Sequence, residues 1–253
     1  MNNLNILVTG GAGFVGTNLI KKLLKCGHKV TSIDNYSTGD YTNHVDRCNY
    51  LYGDITDKEI IDTLPSDIDV VFHMAAIARI QPSLKNPAFT IENNFNGTLN
   101  ILEYARENDI QVIYAGSSSM HHGLYGSPYA WSKFGGEELC KVYSSVYDLN
   151  TSICRFYNVY GPHQLKTGTY ATVIGIFLYQ CIGKDFRAEF FELGRGVNYS
   201  INELAALWGG YPTEYIDARP GEYPWTLCED KNAREKLGWV PFRNLDDYIK
   251  TQL

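Results

Sequence analysis

The run "SPYAWSK", residues 127–133, sets a tyrosine and a lysine four positions apart. On a helix this spacing puts Tyr129 and Lys133 one turn apart on the same face. A phenol beside an ammonium makes a proton-transfer pair if both aim at one reacting atom. The same spacing is common on solvent-facing helices, so these two residues alone decide nothing.

A second run carries more. In "VTGGAGFVG" (8–16), Gly11, Gly13 and Gly16 fit GxGxxG, and Gly10, Gly13 and Gly16 fit the related GxxGxxG spacing. The run follows an expected strand and opens an expected helix. Glycines there permit a tight turn and close approach of a pyrophosphate to the backbone, and the helix N-terminus offers that anion free N–H groups. Asp34 closes the next strand, roughly 20 residues on, where a carboxylate can bond both adenosine ribose hydroxyls. Its charge would repel a 2′-phosphate, which favours NAD over NADP.

The elements that must hold these groups alternate along the chain. Residues 4–10, 29–34, 70–76, 111–117 and 151–158 read as strands, and 14–26, about 90–108 and 128–147 as helices. Such alternation implies an α/β fold, a Rossmann-type doubly wound parallel sheet covered on both faces. Beyond residue 160 turn residues and aromatics become frequent. The expected division is an NAD-binding domain over 1–160 and a smaller substrate-binding lobe over 161–253, with "DKNAREKLGWVPFRNLDDYI" forming two short helices.

Composition narrows the class. The apolar share is 44%, the charged share 20% and the net charge −6, with no long basic run, which argues against nucleic acid and membrane surfaces. The amino terminus lacks a basic region followed by an apolar one, and no apolar run approaches the roughly 20 residues that span a bilayer. Six scattered cysteines (26, 48, 140, 154, 181 and 228) have no metal-ligand spacing and suit a reducing, cytoplasmic setting without a metal.

At this point the sequence resembles the extended short-chain dehydrogenase/reductase family, in its nucleotide-sugar epimerase/dehydratase branch. The resemblance rests on "TGGAGFVG" (9–16), "DNYSTG" (34–39), "GDI" (53–55), "HMAA" (73–76), "NNFNGTLNILEYA" (93–105), "GSSS" (116–119), "YAWSK" (129–133), "RFYNVYGP" (155–162) and "RPGE" (219–222). It implies cofactor contacts from Gly10, Gly13, Phe14, Val15 and Gly16, and from Asp34, Asn35, Ser37, Thr38 and Gly39. Asp54 and Ile55 would lie beside the adenine, Ala75 and Ala76 would line the cleft, and Asn94 and Tyr157 would complete the neighbourhood. Tyr129 would exchange a proton with a sugar hydroxyl, and Lys133 would favour its phenolate and bond the nicotinamide ribose.

Counting back from Gly123 places Ser118 at the family's catalytic hydroxyl, with Ser117 and Ser119 as register alternatives. Ser118, Ser119, Tyr129, Asn158 and Arg219 would meet a nucleotide-diphosphate sugar, Arg219 suiting the diphosphate. A homodimer through the helices near 92–107 and 129–147 is implied as well.

Ser119 and Met120 stand where family dehydratases carry an acid pair and decarboxylases a glutamate. Ser, Tyr and Lys remain, and they suffice for reversible oxidation of one carbinol, as in 4-epimerisation. A 4-keto reductase or a dehydratase using an unmatched acid is the alternative. His121 and His122 depart from the family pattern, and no catalytic role is assigned to them. After "IGIFLYQCIGK" (174–184) several tens of family residues have no counterpart. Either the segment is deleted, which raises a non-catalytic NAD-binding protein as the rival, or it is missing from this sequence. The flanks at Gly183 and Arg187 resume in register, which favours the second.

Overall fold

A computed structural model describes residues 3–163, 189–207, 215, 217, 220–221, 225–241 and 244–250, with His122 described by its backbone only. The first strand, β1 (Asn5–Thr9), holds Ile6, Leu7 and Val8 fully out of water. Both faces of this strand are covered, so its sequence is a continuous apolar run and not an alternation. Helix α1 (Phe14–Lys25) buries Leu19, Ile20, Leu23 and Leu24 along one stripe and ends with Lys22 and Lys25, cations that suit the negative end of its dipole.

The chain continues through β2 (Lys29–Asp34), β3 (Asn49–Tyr52), α2 (Lys58–Ile61) and β4 (Val70–His73). Helices α3 (Ile80–Lys85) and α4 (Pro87–Ile91) lead through a π turn, Glu92–Asn96, into α5 (Gly97–Glu107). Then come β5 (Gln111–Ser117), a 3-10 turn (Ser118–His122), α6 (Pro128–Tyr147) and β6 (Thr151–Phe156). Helix α6 is started by the Ser127 hydroxyl, which accepts from the Ala130 N–H, and by Pro128 in the first turn. It stops at Asp148 in the left-handed conformation, φ 60°.

Among the described residues, seven strands form one parallel sheet in the order β3-β2-β1-β4-β5-β6-β7, where β7 is Glu189–Leu193. The chain winds outward from β1 through β2 to β3, then returns to the other side of β1 with β4. That reversal opens a crevice beyond the carboxyl ends of β1 and β4, the usual ligand position in such sheets. Alternate side chains feed two cores. Ile6, Val8, Phe72 and Ile113 pack with α1 on one face, and Leu7, Val71, Val112 and Tyr114 pack with α5 and α6 on the other.

Two strands escaped sequence reading. β3 ("NYLY") is a half-exposed edge, and β7 ("EFFEL") opens with one glutamate and interrupts its apolar residues with another. β7 lies past the boundary expected near 160, yet it extends the same sheet. Phe191 and Leu193 join the core that holds Ile6 and Phe72, together with Ala233 and Leu237 from α8 (Asn232–Leu237) and with Trp239. The paired carboxy-terminal helices are present as α8 and α9 (Leu245–Lys250), after α7 (Ile201–Leu207). The expected join at 184–188 lies outside the described residues.

Because Phe191 is fully buried in the shared core, Phe191→Ala should cost about 3–5 kcal/mol. Urea denaturation followed by circular dichroism should show the loss in a single main transition. An unchanged midpoint would mean that β7 does not belong to the core of the sheet.

Candidate active site

The glycine turn is built for close approach. Gly10 has φ 71° and sits against the Ala75 backbone, where a Cβ would come within 2.8 Å of the Ala75 Cα. A Cβ on Gly16 would stand 2.3 Å from the Gly10 carbonyl oxygen, so only glycine lets α1 begin this near the end of β1. Gly13 precedes α1 as its N-cap with no side chain capping the helix, so Phe14, Val15 and Gly16 present first-turn amides to the crevice. A pyrophosphate fits this cradle.

Asp34, 8% exposed at the end of β2, accepts the Ala12 N–H on Oδ2 at 2.9 Å and the Tyr36 N–H on Oδ1 at 2.8 Å. These two bonds fix the carboxylate beside the turn, and each oxygen keeps a lone pair for a ribose hydroxyl. Gly39 abuts it, since a Cβ there would be 3.0 Å from Asp34 Oδ1. Asn35 donates to Asp54 Oδ2 at 2.8 Å and accepts the Ser37 N–H at 3.0 Å, tying the loop that carries Ser37 and Thr38 to the next strand end. Burial pushes the Asp54 carboxyl up, but the donors on Thr56 and Asn35 outweigh it and hold the group below its ordinary range. Ile55 is buried beneath Gly97. Ala75 donates to Thr9 Oγ1 at 3.0 Å and, with half-buried Ala76, borders the crevice.

Asn94, 1% exposed, ties together three segments around the crevice. Its amide brackets Ile77, accepting the backbone N–H at 2.7 Å and donating to the carbonyl at 3.2 Å, and it donates to Ser132 Oγ at 3.0 Å. The π turn therefore pins the loop after β4 to the helix that carries Tyr129 and Lys133. Tyr157 is half-buried beside Gly194, while exposed Asn158 donates to Thr226 Oγ1 at 3.3 Å. Arg219, the side chain of His122 and the proposed diphosphate contact lie outside the described residues.

Tyr129 and Lys133 share the inward face of α6, next to the serine turn. The Tyr129 hydroxyl donates to Ser117 Oγ at 3.4 Å, and Ser117 Oγ lies 2.9 Å from Ser119 Oγ. The hydroxyl facing the phenol in this structure is thus Ser117, one of the register alternatives, while Ser118 is buried beside it. Burial pushes the Tyr129 phenol above its ordinary value, against the opposing Ser117 bond, so on its own the phenol keeps its proton at neutral pH. Burial also brings Lys133 down to about 8, with the Glu137 carboxylate pulling it back up. Its ammonium lies 4.2 Å from the centre of the Tyr114 ring.

Sequence reading missed the groups that hold this pair in place. His73 is buried between Thr9 and Thr98, at 2.8 and 2.9 Å, and burial followed by the Lys133 charge takes it down to about 3. Arg155, on β6, joins Glu137 of α6 and Glu192 of β7 within the sheet's covered face, and all three are less than 5% exposed. His121 Nε2 meets the same Glu192 oxygen at 2.6 Å, so the serine turn is anchored to this cluster. An arginine inside the apolar strand "TSICRF" was the available signal, because a buried charge requires partners.

These parts define a dinucleotide-binding α/β enzyme. Residues 6–196 match the NAD dependent epimerase/dehydratase family, and the chain belongs to it. The UDP-glucose 4-epimerase of Mycolicibacterium smegmatis is 30% identical over 294 residues, covering 94% of each chain. The UDP-glucuronate 4-epimerase of Thermodesulfobacterium geofontis is 35% identical over 302 residues, covering 96% of this chain and 93% of that one. Among solved structures, the UDP-glucose 4-epimerase of Thermotoga maritima with UDP-glucose matches with a TM-score of 0.87 at 27% identity, over 98% of this chain and 96% of that one. Both sequence alignments are longer than the 253 residues here, so these relatives carry residues with no counterpart in this chain. The chain is an NAD-dependent enzyme of the nucleotide-sugar epimerase class.

Asp34→Asn removes the charge while keeping one acceptor for the backbone. NAD affinity measured by calorimetry should fall about tenfold or more, the worth of one charge-assisted bond. The melting temperature should fall by a few degrees, because one of the two backbone N–H groups loses its acceptor.

Proposed function

We propose that this enzyme interconverts two nucleotide sugars that differ at C4, through a transient 4-keto sugar, with Tyr129 moving the hydroxyl proton. The observation that carries the proposal is the Tyr129 hydroxyl facing the Ser117–Ser119 turn, with Lys133 one helical turn behind it, beyond the glycine cradle. NAD, when bound, supplies reversible oxidation of the sugar carbinol. Ser118, with Ser117 and Ser119 beside it, orients the sugar hydroxyl, and Tyr129 takes its proton and later gives it back. Lys133 favours the phenolate, since a nearby cation offsets the burial that otherwise holds the phenol protonated.

Gly10, Gly13, Phe14, Val15 and Gly16 take the pyrophosphate in this proposal, and Asp34 takes the adenosine ribose. Asn35, Ser37, Thr38 and Gly39 frame that ribose, Asp54 and Ile55 border the adenine, and Ala75, Ala76 and Tyr157 border the nicotinamide half. Asn158 and Arg219 take the sugar nucleotide, with the carboxy-terminal residues as its lobe. An acid does approach the serine turn, which bears on the dehydratase alternative. That acid, Glu192, is engaged on one oxygen by both Arg155, at 2.9 Å, and His121, at 2.6 Å. It is poorly suited to donate a proton to a leaving hydroxyl.

The outer face of the dimerisation helices supports a homodimer. Val142, Val146 and Tyr147 of α6 and Phe89 of α4 are exposed together with Trp131, a set of apolar residues suited to a partner's matching helices. A cytoplasmic site suits the five free cysteines among the described residues. None of the helices described is long and apolar enough to cross a membrane.

Incubation with UDP-, GDP- and dTDP-hexoses should give interconversion at C4, resolved by chromatography, without net consumption of NADH. Tyr129→Phe should lower the rate at least about 100-fold. Stoichiometric NADH consumption would indicate a reductase, and loss of water a dehydratase. No turnover of any sugar, with NAD still bound, would favour a non-catalytic protein. Light scattering at micromolar concentration should show a dimer, and Val146→Glu should shift it to monomer.

A further inference from the structure

Glu137 stands one helical turn beyond Lys133 on α6, on the same inward face. It is 0% exposed. Two nitrogens of Arg155 converge on its Oε2, Nε at 2.9 Å and Nη2 at 2.7 Å. The guanidinium is itself stacked over Phe190, 4.2 Å from the ring centre, and bonded to Glu192. Gly116, just before the serine turn, leaves room for the carboxylate, since a Cβ there would lie 2.6 Å from Glu137 Oε1. A fully desolvated carboxylate is thus fixed between the proton-transfer pair and the strand that carries the serines.

We infer that Glu137 is a positioning residue for the reaction, holding Lys133 as an ammonium so that Tyr129 can work as a base. Burial alone drives an ammonium toward its neutral form. The other groups facing Lys133 do not supply a comparable negative charge. Tyr114 offers its ring face, His73 is neutral, Tyr129 is a phenol, and burial pushes the Cys140 thiol up. Burial pushes the Glu137 carboxyl above its ordinary value, with the Arg155 guanidinium, the Ser117 backbone and the Lys133 charge opposing it, and Glu192 completes the pairing of Arg155. Removing the Glu137 charge lets Lys133 lose its proton at lower pH, and the phenol then loses the cation one turn along its own helix.

The test is the pH profile of kcat and kcat/KM for the NAD-loaded enzyme, with the pH dependence of NAD affinity as a second readout. In Glu137→Gln the alkaline limb should move down by about one unit or more, with at least about tenfold loss at pH 8 and a smaller loss at the optimum. NAD affinity at pH 8 should fall in parallel. Arg155 keeps Glu192 in this variant, so its charge is not left unpaired. Glu137→Asp, which retains a carboxylate, should bring the limb back. Glu137→Met, which leaves no polar atom at the site, should shift it as Gln does and serves if the first variant fails to fold.

Rates lowered equally at every pH, or a profile that does not move, would overturn the inference. It rests on Tyr129 and Lys133 being the proton-transfer pair. Full activity in Tyr129→Phe would sink that assignment, whereas an inactive Tyr129→Phe beside an unmoved Glu137→Gln profile would sink this inference alone.

Discussion

An ammonium kept out of water governs much of the arrangement around this site. Lys133 is 4% exposed, and burial brings it down to about 8. A lone buried charge of this kind is costly, so the surrounding elements compensate with an aromatic face from β5 and a carboxylate from the next turn of α6. The carboxylate in turn requires Arg155, and Arg155 requires Glu192. Four elements (α6, β5, β6 and β7) are thereby fixed relative to one another by electrostatics that begin at one side chain. Packing obeys the same constraint. Gly136 has no side chain because a Cβ there would come within 2.2 Å of the Tyr114 hydroxyl, the ring on which Lys133 rests.

The cofactor half of the site depends on geometry more than on charge. Its glycines bring β1 and α1 within contact of the strand end that holds Ala75, and Asp34 is steered by backbone donors from Ala12 and Tyr36. The two halves meet through Asn94. By bracketing Ile77 and bonding Ser132, this amide joins the loop after β4, which borders the crevice, to the helix that carries Tyr129. The π turn at Glu92–Asn96 makes room for two successive buried asparagines, a local irregularity of the kind often found near functional sites.

The serine turn shows how side-chain register differs from sequence count. Counting from Gly123 selects Ser118, whereas the phenol in the folded chain faces Ser117, and its neighbour Ser119 completes the hydroxyl pair. His121, which fits no family pattern, acquires a role through Glu192, 71 positions further along the chain. Likewise β7 was invisible because charged residues broke its apolar run, yet Phe191 and Leu193 enter a core drawn from distant segments. Glu192 points not to solvent but to Arg155 and His121.

The sequence by itself determined what short-range patterns encode. These are the alternation of strands and helices, the glycine turn with its acid, and a tyrosine and lysine on one helical face. Each depends on residues within one or two turns of each other, or on repeated spacing, so each can be read in a single dimension. Only the tertiary structure decided which serine meets the phenol, which arginine holds the acid beside the lysine, and which distant strand closes the sheet. Those outcomes depend on desolvated charges finding partners across strands, and long-range pairing of that kind leaves no periodic mark in the chain.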